Sequence, residues 1–185
     1  NEIVTVGAIK ERKGLLELLN ALNKIDNSVR PILNVLGNRN ENDKYLEKVM
    51  QFIKVNKLED FVNFYGVTSD SEMIKILDRS KIFVLPSKNT SKGDFEGFGI
   101  VFIEASSRSI PVIGSKDCGN IDAIIENKTG FLIKQGDVLN LRNKILNLLI
   151  NTSLAEKMGR NGRAFAKKMT WTHTTELILN NIKNL

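Results

Sequence analysis

Short apolar runs alternate along this chain with longer stretches of helical periodicity, and this alternation restricts the fold more than any other feature. The first run, at residues 3–9, is rich in β-branched side chains. Apolar residues then recur at spacings of three and four, at Leu15, Leu18, Leu19, Leu22 and Ile25. A strand followed by an amphipathic helix that packs on a sheet is therefore the first predicted unit.

The same unit recurs along the rest of the chain. Further strands are predicted at residues 31–37, 61–65, 81–85, 111–114 and 130–134. Helices are predicted within 43–57 and at 99–108, 120–127, 139–150, 154–169 and 172–185. Another short helix is predicted after Ser69 or Asp70, with Met73, Ile74 and Leu77 facing inward. Strands separated by helices imply an α/β fold, a Rossmann-like doubly wound parallel sheet with right-handed crossovers.

Ligands of such sheets bind outside the carboxyl ends of the strands. Three segments of this chain lie there, at residues 7–14, 66–69 and 86–104. The polar stretch 87–95 contains glycine and is long enough to be a functional loop rather than a simple connection.

Composition excludes several classes of protein. With 185 residues, 42% of them hydrophobic and 26% charged, the chain can bury the core of one globular domain. A bilayer span needs about 20 apolar residues, far more than any run here. A single cysteine, Cys118, allows no internal disulfide and no thiolate zinc site, which favours a reducing, cytoplasmic compartment. A single histidine, His173, excludes a multi-histidine metal centre.

The net charge of +6 favours an anionic partner, which could be nucleic acid, a membrane surface or a phosphorylated small molecule. Aromatic residues make up only 6% of the chain, and no basic run is interleaved with them. We therefore expect no nucleic-acid partner. Peripheral contact with an anionic inner membrane leaflet stays open. The chain begins inside a strand without an initiator Met, so we expect it to be one domain of a longer protein.

Three cations follow the first strand. Lys10, Arg12 and Lys13 precede a helix, where the positive end of the helix dipole disfavours each cation by ~0.3–1 kcal/mol. A diphosphate bound there would relieve this repulsion, and a solvated basic turn accounts for the pattern equally well. The segment matches neither the dinucleotide-binding glycine motif nor the P-loop, so those two sites are poorly supported.

Two carboxylates bracket the start of the helix predicted at residues 99–108. Glu96 and Glu104 are eight residues apart, and Gly97 and Gly99 allow backbone N–H groups to approach a ligand closely. A ligand with several hydroxyls and a phosphate would suit this arrangement. The alternative is that both carboxylates are only favourable charges near a helix start.

These segments together resemble one family. The matching residues are Val6, Gly7, Lys13, Gly14, Pro86, Ser87, 96–105, 111–114, 119–123, 129–132 and Trp171. They are similar to the C-terminal half of a retaining, family 4 (group 1) glycosyltransferase, in which Glu96 and Glu104 form the E-x7-E motif. The resemblance extends over essentially the whole chain. It implies that residues 1–185 are the nucleotide-sugar-binding domain of a two-domain GT-B enzyme, whose N-terminal acceptor domain is absent from this chain.

The resemblance also implies roles for single residues. Glu96 would contact hydroxyls of the donor sugar, Glu104 would bind the ribose, and Lys13 would neutralise the diphosphate leaving group. The sugar and phosphate would be held by the backbone of the loop and helix start at Gly97, Phe98, Gly99, Ile100 and Val101. Gly66 and Val67 would lie beside the base. The implied reaction transfers a hexose from a UDP- or GDP-linked sugar donor to a glycan or lipid-linked acceptor. It would use no metal or other cofactor. The isolated domain would be inactive.

The sequence departs from the family pattern at four positions. Ala8 replaces a usual arginine, for which Lys10 or Arg12 could substitute. Cys118, Ile121 and Asp122 replace a usual glycine, proline and glutamate, and the last change gives a weak indication of GDP-mannose. Because of Ala8, a non-catalytic module that binds a nucleotide-sugar or a protein partner is the second hypothesis. A related epimerase or phosphorylase is the third. Neither Cys118 nor His173 is expected to be catalytic.

Overall fold

A computed structural model describes residues 1–39 and 43–183 of the chain. This part contains one sheet of six strands, β1 Glu2–Val6, β2 Ile32–Leu36, β3 Val62–Gly66, β4 Ile82–Leu85, β5 Val112–Ser115 and β6 Gly130–Ile133. All pairings are parallel, and the spatial order is β3-β2-β1-β4-β5-β6. The predicted Rossmann-like doubly wound parallel sheet is therefore confirmed.

Helices follow the strands on both faces of the sheet. Their bounds are α1 Leu15–Asn23, α2 Lys44–Val55, α3 Asp70–Arg79, α4 Ile100–Ser107, α5 Asn120–Ala123, α6 Val138–Ile150, α7 Thr152–Ala166 and α8 Trp171–Lys183. Short 3-10 turns cover Glu11–Lys13 and Glu59–Phe61. Among the described residues, no helix has both the length and the apolar character that a transmembrane span requires.

The two faces of the sheet carry separate core layers because side chains alternate along each strand. One layer packs against α1, α2 and α6 and includes the strand residues Ile3, Leu33, Val35, Ile82, Val84 and Ile113. The other packs against α3, α4 and α5 and includes Val4, Leu36, Phe83, Leu85, Val112 and Leu132. All four residues of β4 are buried, as expected for a central strand with helices on both faces.

Side-chain caps set the starts of four helices in the described part of the chain, α2 and α3 among them. Ser69 caps α3, and its hydroxyl and the Glu72 carboxylate satisfy each other's backbone N–H groups in a capping box. The Asp43 carboxylate caps α2 by accepting a hydrogen bond from the Tyr45 N–H at 2.8 Å. The predicted start of α3 is confirmed.

Two local predictions are wrong. The helix predicted at 120–127 ends at Ala123, because the following segment turns onto β6. There the Glu126 carboxylate accepts the Leu132 N–H at 2.7 Å, and the Thr129 hydroxyl accepts the Ile125 N–H at 2.9 Å. In α3, the buried side chains are Ile76 and Leu77, whereas Ile74 is exposed.

The order of the strands reverses between β1 and β4, and ligands of open α/β sheets bind in the crevice at such a switch point. The loops that follow these two strands touch. Gly14 has a left-handed backbone, with φ of 68°, and a Cβ atom there would lie 1.9 Å from the carbonyl oxygen of Pro86. Only glycine allows this approach, which brings the loop after β1 against the end of β4.

We expect Gly14→Ala to lower the free energy of unfolding clearly more than Gly136→Ala. Both glycines have left-handed backbones, but a Cβ at Gly136 would meet open space. Gly136→Ala should therefore lower the free energy of unfolding by about 1 kcal/mol, from backbone strain alone. Gly14→Ala should lower it by about 2 kcal/mol more, because the added Cβ clashes with Pro86. Urea unfolding of both variants measures the difference, and equal losses would contradict the close approach.

Candidate functional site

Two cations from the loop after β1 meet one carboxylate from the loop after β4. The Lys13 ammonium donates to Oε2 of Glu96 at 2.6 Å, and the Arg12 guanidinium donates to the same oxygen at 2.9 Å. The Ser87 hydroxyl lies 3.4 Å from this oxygen. Glu96 is only 7% exposed. The structure thus brings together three of the predicted site residues, at the switch point of the sheet.

Backbone geometry directs Lys13 to this position. The 3-10 turn Glu11–Lys13 ends at Gly14, which is also the N-cap of α1. The aliphatic part of Lys13 lies along Gly7, where an added Cβ would be 3.2 Å from Cε of the lysine. Gly7 therefore leaves the space that the lysine side chain crosses to reach Glu96.

The loop after β5 supports the backbone that carries Glu96. The Gly119 N–H donates to the carbonyl oxygen of Glu96 at 3.0 Å. A Cβ atom at Gly119 would lie 1.0 Å from the carbonyl oxygen of Gly97, so no other residue fits this contact. The neighbouring Cys118 is half-buried, and its burial raises the pKa of the thiol, which therefore stays protonated at neutral pH.

The start of α4 presents free backbone donors. Gly99 is the N-cap and has no side chain to cap the helix. Within the described part of the chain, the N–H groups of Ile100 and Val101 have no acceptor, and the Ile100 side chain is 60% exposed. Phe98 and Val101 are partly buried and pack against the second core layer, which fixes the backbone at the start of the helix. Such a helix start can bind an anionic group.

Glu104 lies further along α4 and faces the start of α3. Partial burial raises the pKa of its carboxyl, and the negative charge of Asp70 raises it further. Asp70 follows the loop that contains Gly66 and Val67, whose valine side chain is 78% exposed. Glu104 makes no hydrogen bond or ion pair with Glu96 or Lys13 in the residues that the structure describes. Of the predicted site residues, Arg12, Lys13 and Glu96 therefore form one cluster. The structure does not bring Glu104 into contact with it and places Glu104 nearer α3.

Of the two cations that could replace the arginine missing at Ala8, Arg12 lies beside Lys13 on Glu96. Lys10 instead lines a separate cavity, which Arg12 also lines. The geometry therefore favours Arg12 as the second cation of the cluster.

Sequence reasoning missed the residues that tie the two loops together. The Lys88 N–H donates to the carbonyl oxygen of Arg12 at 2.8 Å. Its ammonium forms ion pairs with Glu17 at 2.8 Å and Glu11 at 3.3 Å. The signal available in the sequence was the position of Ser87 and Lys88 directly after Pro86, at the carboxyl end of β4.

Metal-ligating side chains do not cluster in this region. Across residues 1–39 and 43–183, no group of three or more His, Cys, Asp or Glu side chains is placed to hold a metal ion. Asp94, near Glu96 in sequence, instead accepts a hydrogen bond from the Thr90 hydroxyl at 3.3 Å. The side chain of His173 lies outside the described residues, so its predicted packing or surface role stays a prediction.

Comparison with known proteins gives a consistent result. A family model described as "Glycosyl transferases group 1" matches residues 1–165. An uncharacterized glycosyltransferase, MJ1178 of Methanocaldococcus jannaschii, is 30% identical over 166 residues, which are 90% of this chain and 43% of that protein. A GDP-mannose-dependent α-(1-6)-phosphatidylinositol monomannoside mannosyltransferase of Mycobacterium tuberculosis is 30% identical over 163 residues, covering 87% and 41%. The chain spans about two fifths of the length of these relatives.

A solved structure shows the same fold. Anabaena HepE in complex with UDP and glucose superposes with a TM-score of 0.84 at 21% identity. The superposition covers 100% of this chain and 49% of the HepE chain. The superposition shows that both chains have the same doubly wound parallel sheet.

We expect Asp70→Asn to lower the pKa of Glu104. Removing the negative charge of Asp70 makes the charged form of Glu104 less unfavourable, while the burial that also raises its pKa remains. Carbon-detected NMR titration of the glutamate carboxyl groups, assigned with Glu104→Gln, measures the shift. Asp60→Asn, which removes a carboxylate in the remote turn Glu59–Phe61, is the control. A pKa that moves equally in both variants would place Asp70 too far away to act.

Proposed function

The chain belongs to the group 1 glycosyl transferases, and we propose that it is the half of such an enzyme that binds the nucleotide-sugar donor. The observation that carries this proposal is the cluster of Lys13, Arg12 and Glu96 at the switch point of the sheet. Two cations and a carboxylate meet there, and the free N–H groups at the start of α4 follow four residues after Glu96. A ligand with both phosphates and sugar hydroxyls can satisfy all three kinds of group.

Each group has a task in the proposed transfer. The bond between the anomeric carbon and the diphosphate oxygen breaks, and negative charge develops on the departing diphosphate. Lys13 and the free N–H groups at Ile100 and Val101 stabilise that charge. Glu96 accepts hydrogen bonds from sugar hydroxyls, and Glu104 accepts them from the ribose.

The acceptor oxygen then forms the new bond to the anomeric carbon, on the face that the diphosphate leaves, with retention of configuration. Its proton goes to the departing diphosphate. The transfer proposed here therefore needs neither a histidine base nor a metal or other cofactor.

Two nucleotides are supported as the donor's leaving group. UDP is supported by the HepE complex, whose fold this chain shares. GDP is supported by the mycobacterial relative, whose name gives GDP-mannose as its donor. A glycan or lipid-linked acceptor and an N-terminal half that binds it complete the proposal, because the chain spans only part of its relatives. We place the whole enzyme in the cytoplasm, where peripheral contact with the inner membrane face would bring it to lipid-linked acceptors.

A second candidate function is a module that binds a nucleotide-sugar without catalysing transfer. It is favoured by Ala8, which stands where the family usually has a cation, and by Glu96, which pairs with both Lys13 and Arg12. The full-length protein separates the two candidates. Binding of a nucleotide-sugar without transfer or hydrolysis would establish the second one.

Calorimetric titration of this chain with UDP, GDP and ADP tests the donor site. We expect at least one of the three to bind, and Lys13→Ala and Glu104→Ala each to weaken that binding about tenfold, the cost of one hydrogen bond to a charged group. Lys54→Ala and Glu59→Ala remove the same charges from exposed positions away from the crevice and should leave affinity unchanged. Absence of binding to all three nucleotides would contradict the proposal.

Glu96→Gln gives a second and less intuitive prediction. In the free chain the Glu96 carboxylate competes with a diphosphate for Lys13 and Arg12. Its neutral replacement should therefore bind the nucleoside diphosphate about three- to tenfold more tightly, because a full negative charge leaves the site. The same calorimetric titration measures this change. Asp94→Asn, in the same loop but paired with Thr90, is the matched control. Weaker binding by Glu96→Gln would show that the diphosphate does not use these cations.

A further inference from the structure

A cavity of about 350 Å³, called here the outer cavity, lies beside the Glu96 cluster. The turn Glu11–Lys13, the start of α2 and the loop before Glu96 form its walls. The turn contributes its residue Arg12 to this cavity, whereas Lys13 lies on Glu96 and does not line it. The outer cavity is therefore distinct from the switch-point crevice but adjoins it through one arginine.

Positive charge predominates in the outer cavity. Five cations line it, Lys10, Arg12, Lys44, Lys48 and Lys92. Three carboxylates also line it, so its lining carries two more positive than negative charges, and each carboxylate has a partner of its own. Glu11 pairs with Lys88 at 3.3 Å, Asp43 caps α2 through the Tyr45 N–H, and Asp94 accepts the Thr90 hydroxyl.

Within the described part of the chain, no carboxylate neutralises the four lysines. Arg12 pairs with Glu96, but Lys10, Lys44, Lys48 and Lys92 have no carboxylate within ion-pair distance among residues 1–39 and 43–183. Like charges around one concave surface repel each other and raise the local concentration of anions. The Ser91 hydroxyl adds a hydrogen-bond donor for a phosphate oxygen.

We propose that the outer cavity binds the phosphate or pyrophosphate group of an anionic acceptor, the rest of which the N-terminal half would bind. This proposal rests on the proposed function, because it assumes that the transferred sugar lies beside Glu96. Arg12 reaches Glu96 with one nitrogen and lines the outer cavity. An acceptor phosphate in that cavity would therefore hold its hydroxyl-bearing part next to the sugar.

The shape and position of the outer cavity favour an individual acceptor molecule as its ligand, over a membrane surface or the donor's own diphosphate. The cavity has the volume of a small-molecule pocket, whereas a membrane surface would engage an exposed, flat patch of lysines. The donor's own diphosphate would bind at Arg12, Lys13 and the start of α4, and of these only Arg12 also lines the outer cavity.

The test uses inorganic pyrophosphate and the variant Lys13→Ala, which removes the crevice cation that does not line the outer cavity. Calorimetry should show that Lys13→Ala binds pyrophosphate and that adding Lys44→Ala and Lys48→Ala weakens this binding at least tenfold. Adding Lys54→Ala and Lys157→Ala, exposed helical lysines outside the cavity, removes the same charge and should change affinity less than twofold. Circular dichroism checks that every variant is folded. Equal losses in the two charge-matched variants would overturn the proposal.

Nucleotide binding separates this proposal from the proposed function. Lys44→Ala/Lys48→Ala alone should keep the nucleoside diphosphate affinity of the unmodified chain. Pyrophosphate binding that depends on these lysines, in a chain that binds no nucleotide, would keep the anion site but contradict the donor site. If the double variant loses nucleotide affinity as strongly as Lys13→Ala does, the cavity belongs to the donor site and the proposal is wrong.

Vesicle co-sedimentation identifies the source of the phosphate. Vesicles of phosphatidylcholine with phosphatidic acid carry a phosphate monoester, and those with phosphatidylglycerol carry matched charge without it. Lysine-dependent capture by phosphatidic acid alone supports a lipid-borne phosphate, and soluble pyrophosphate binding without capture supports a soluble acceptor. Equal capture by both vesicles with no binding of soluble pyrophosphate would assign the lysines to a membrane surface and overturn the proposal.

Discussion

A nearly buried carboxylate that receives two cations from a different loop is the interaction on which the carboxyl edge of this sheet depends. Glu96 is 7% exposed, and an unpaired charge in such a place is strongly unfavourable. Arg12 and Lys13 compensate it from the neighbouring strand's loop. Because Glu96 follows β4 and the cations follow β1, the ion pairs span the switch point and hold the two loops in register. Loss of Glu96 would leave both cations without their partner, whereas loss of one cation would leave Glu96 paired with the other.

The same cluster sets the chemistry of a suitable ligand. A bare diphosphate could take Lys13 and Arg12 from Glu96, but it would leave the buried carboxylate without donors. A ligand that also carries sugar hydroxyls donates hydrogen bonds to Glu96. These hydrogen bonds replace the cations that its diphosphate binds. The geometry therefore matches a sugar and a diphosphate in one molecule better than either part alone. The free N–H groups of Ile100 and Val101 improve this match, because they can donate hydrogen bonds to phosphate oxygens and do not pair with Glu96.

Much of the fold could be predicted from the sequence, because strand and helix periodicities reflect which side chains are buried. The six strands and their helices follow from that pattern. The prediction at 120–127 failed because the carboxylate of Glu126 and the hydroxyl of Thr129 bond to backbone of the turn before β6. A helical pattern does not reveal these tertiary hydrogen bonds. In α3, Ile74 and Ile76 are both apolar and two residues apart, so only the sheet's position decides that Ile76 is the buried one.

The candidate site was predictable in its residue types but not in its pairing. A continuous helix from Lys10 would place Lys10 and Lys13 on one side, three residues apart. Lys10 is instead the N-cap of the 3-10 turn, with extended backbone angles φ −134° and ψ 153°. This single backbone state turns Lys10 outward to the outer cavity and leaves Arg12 beside Lys13. Three cations that are close in sequence thus act on two different surfaces, and Arg12 is the one that both surfaces share. Charge counts and spacing do not contain that distinction, because it is set where the extended chain after β1 enters the turn.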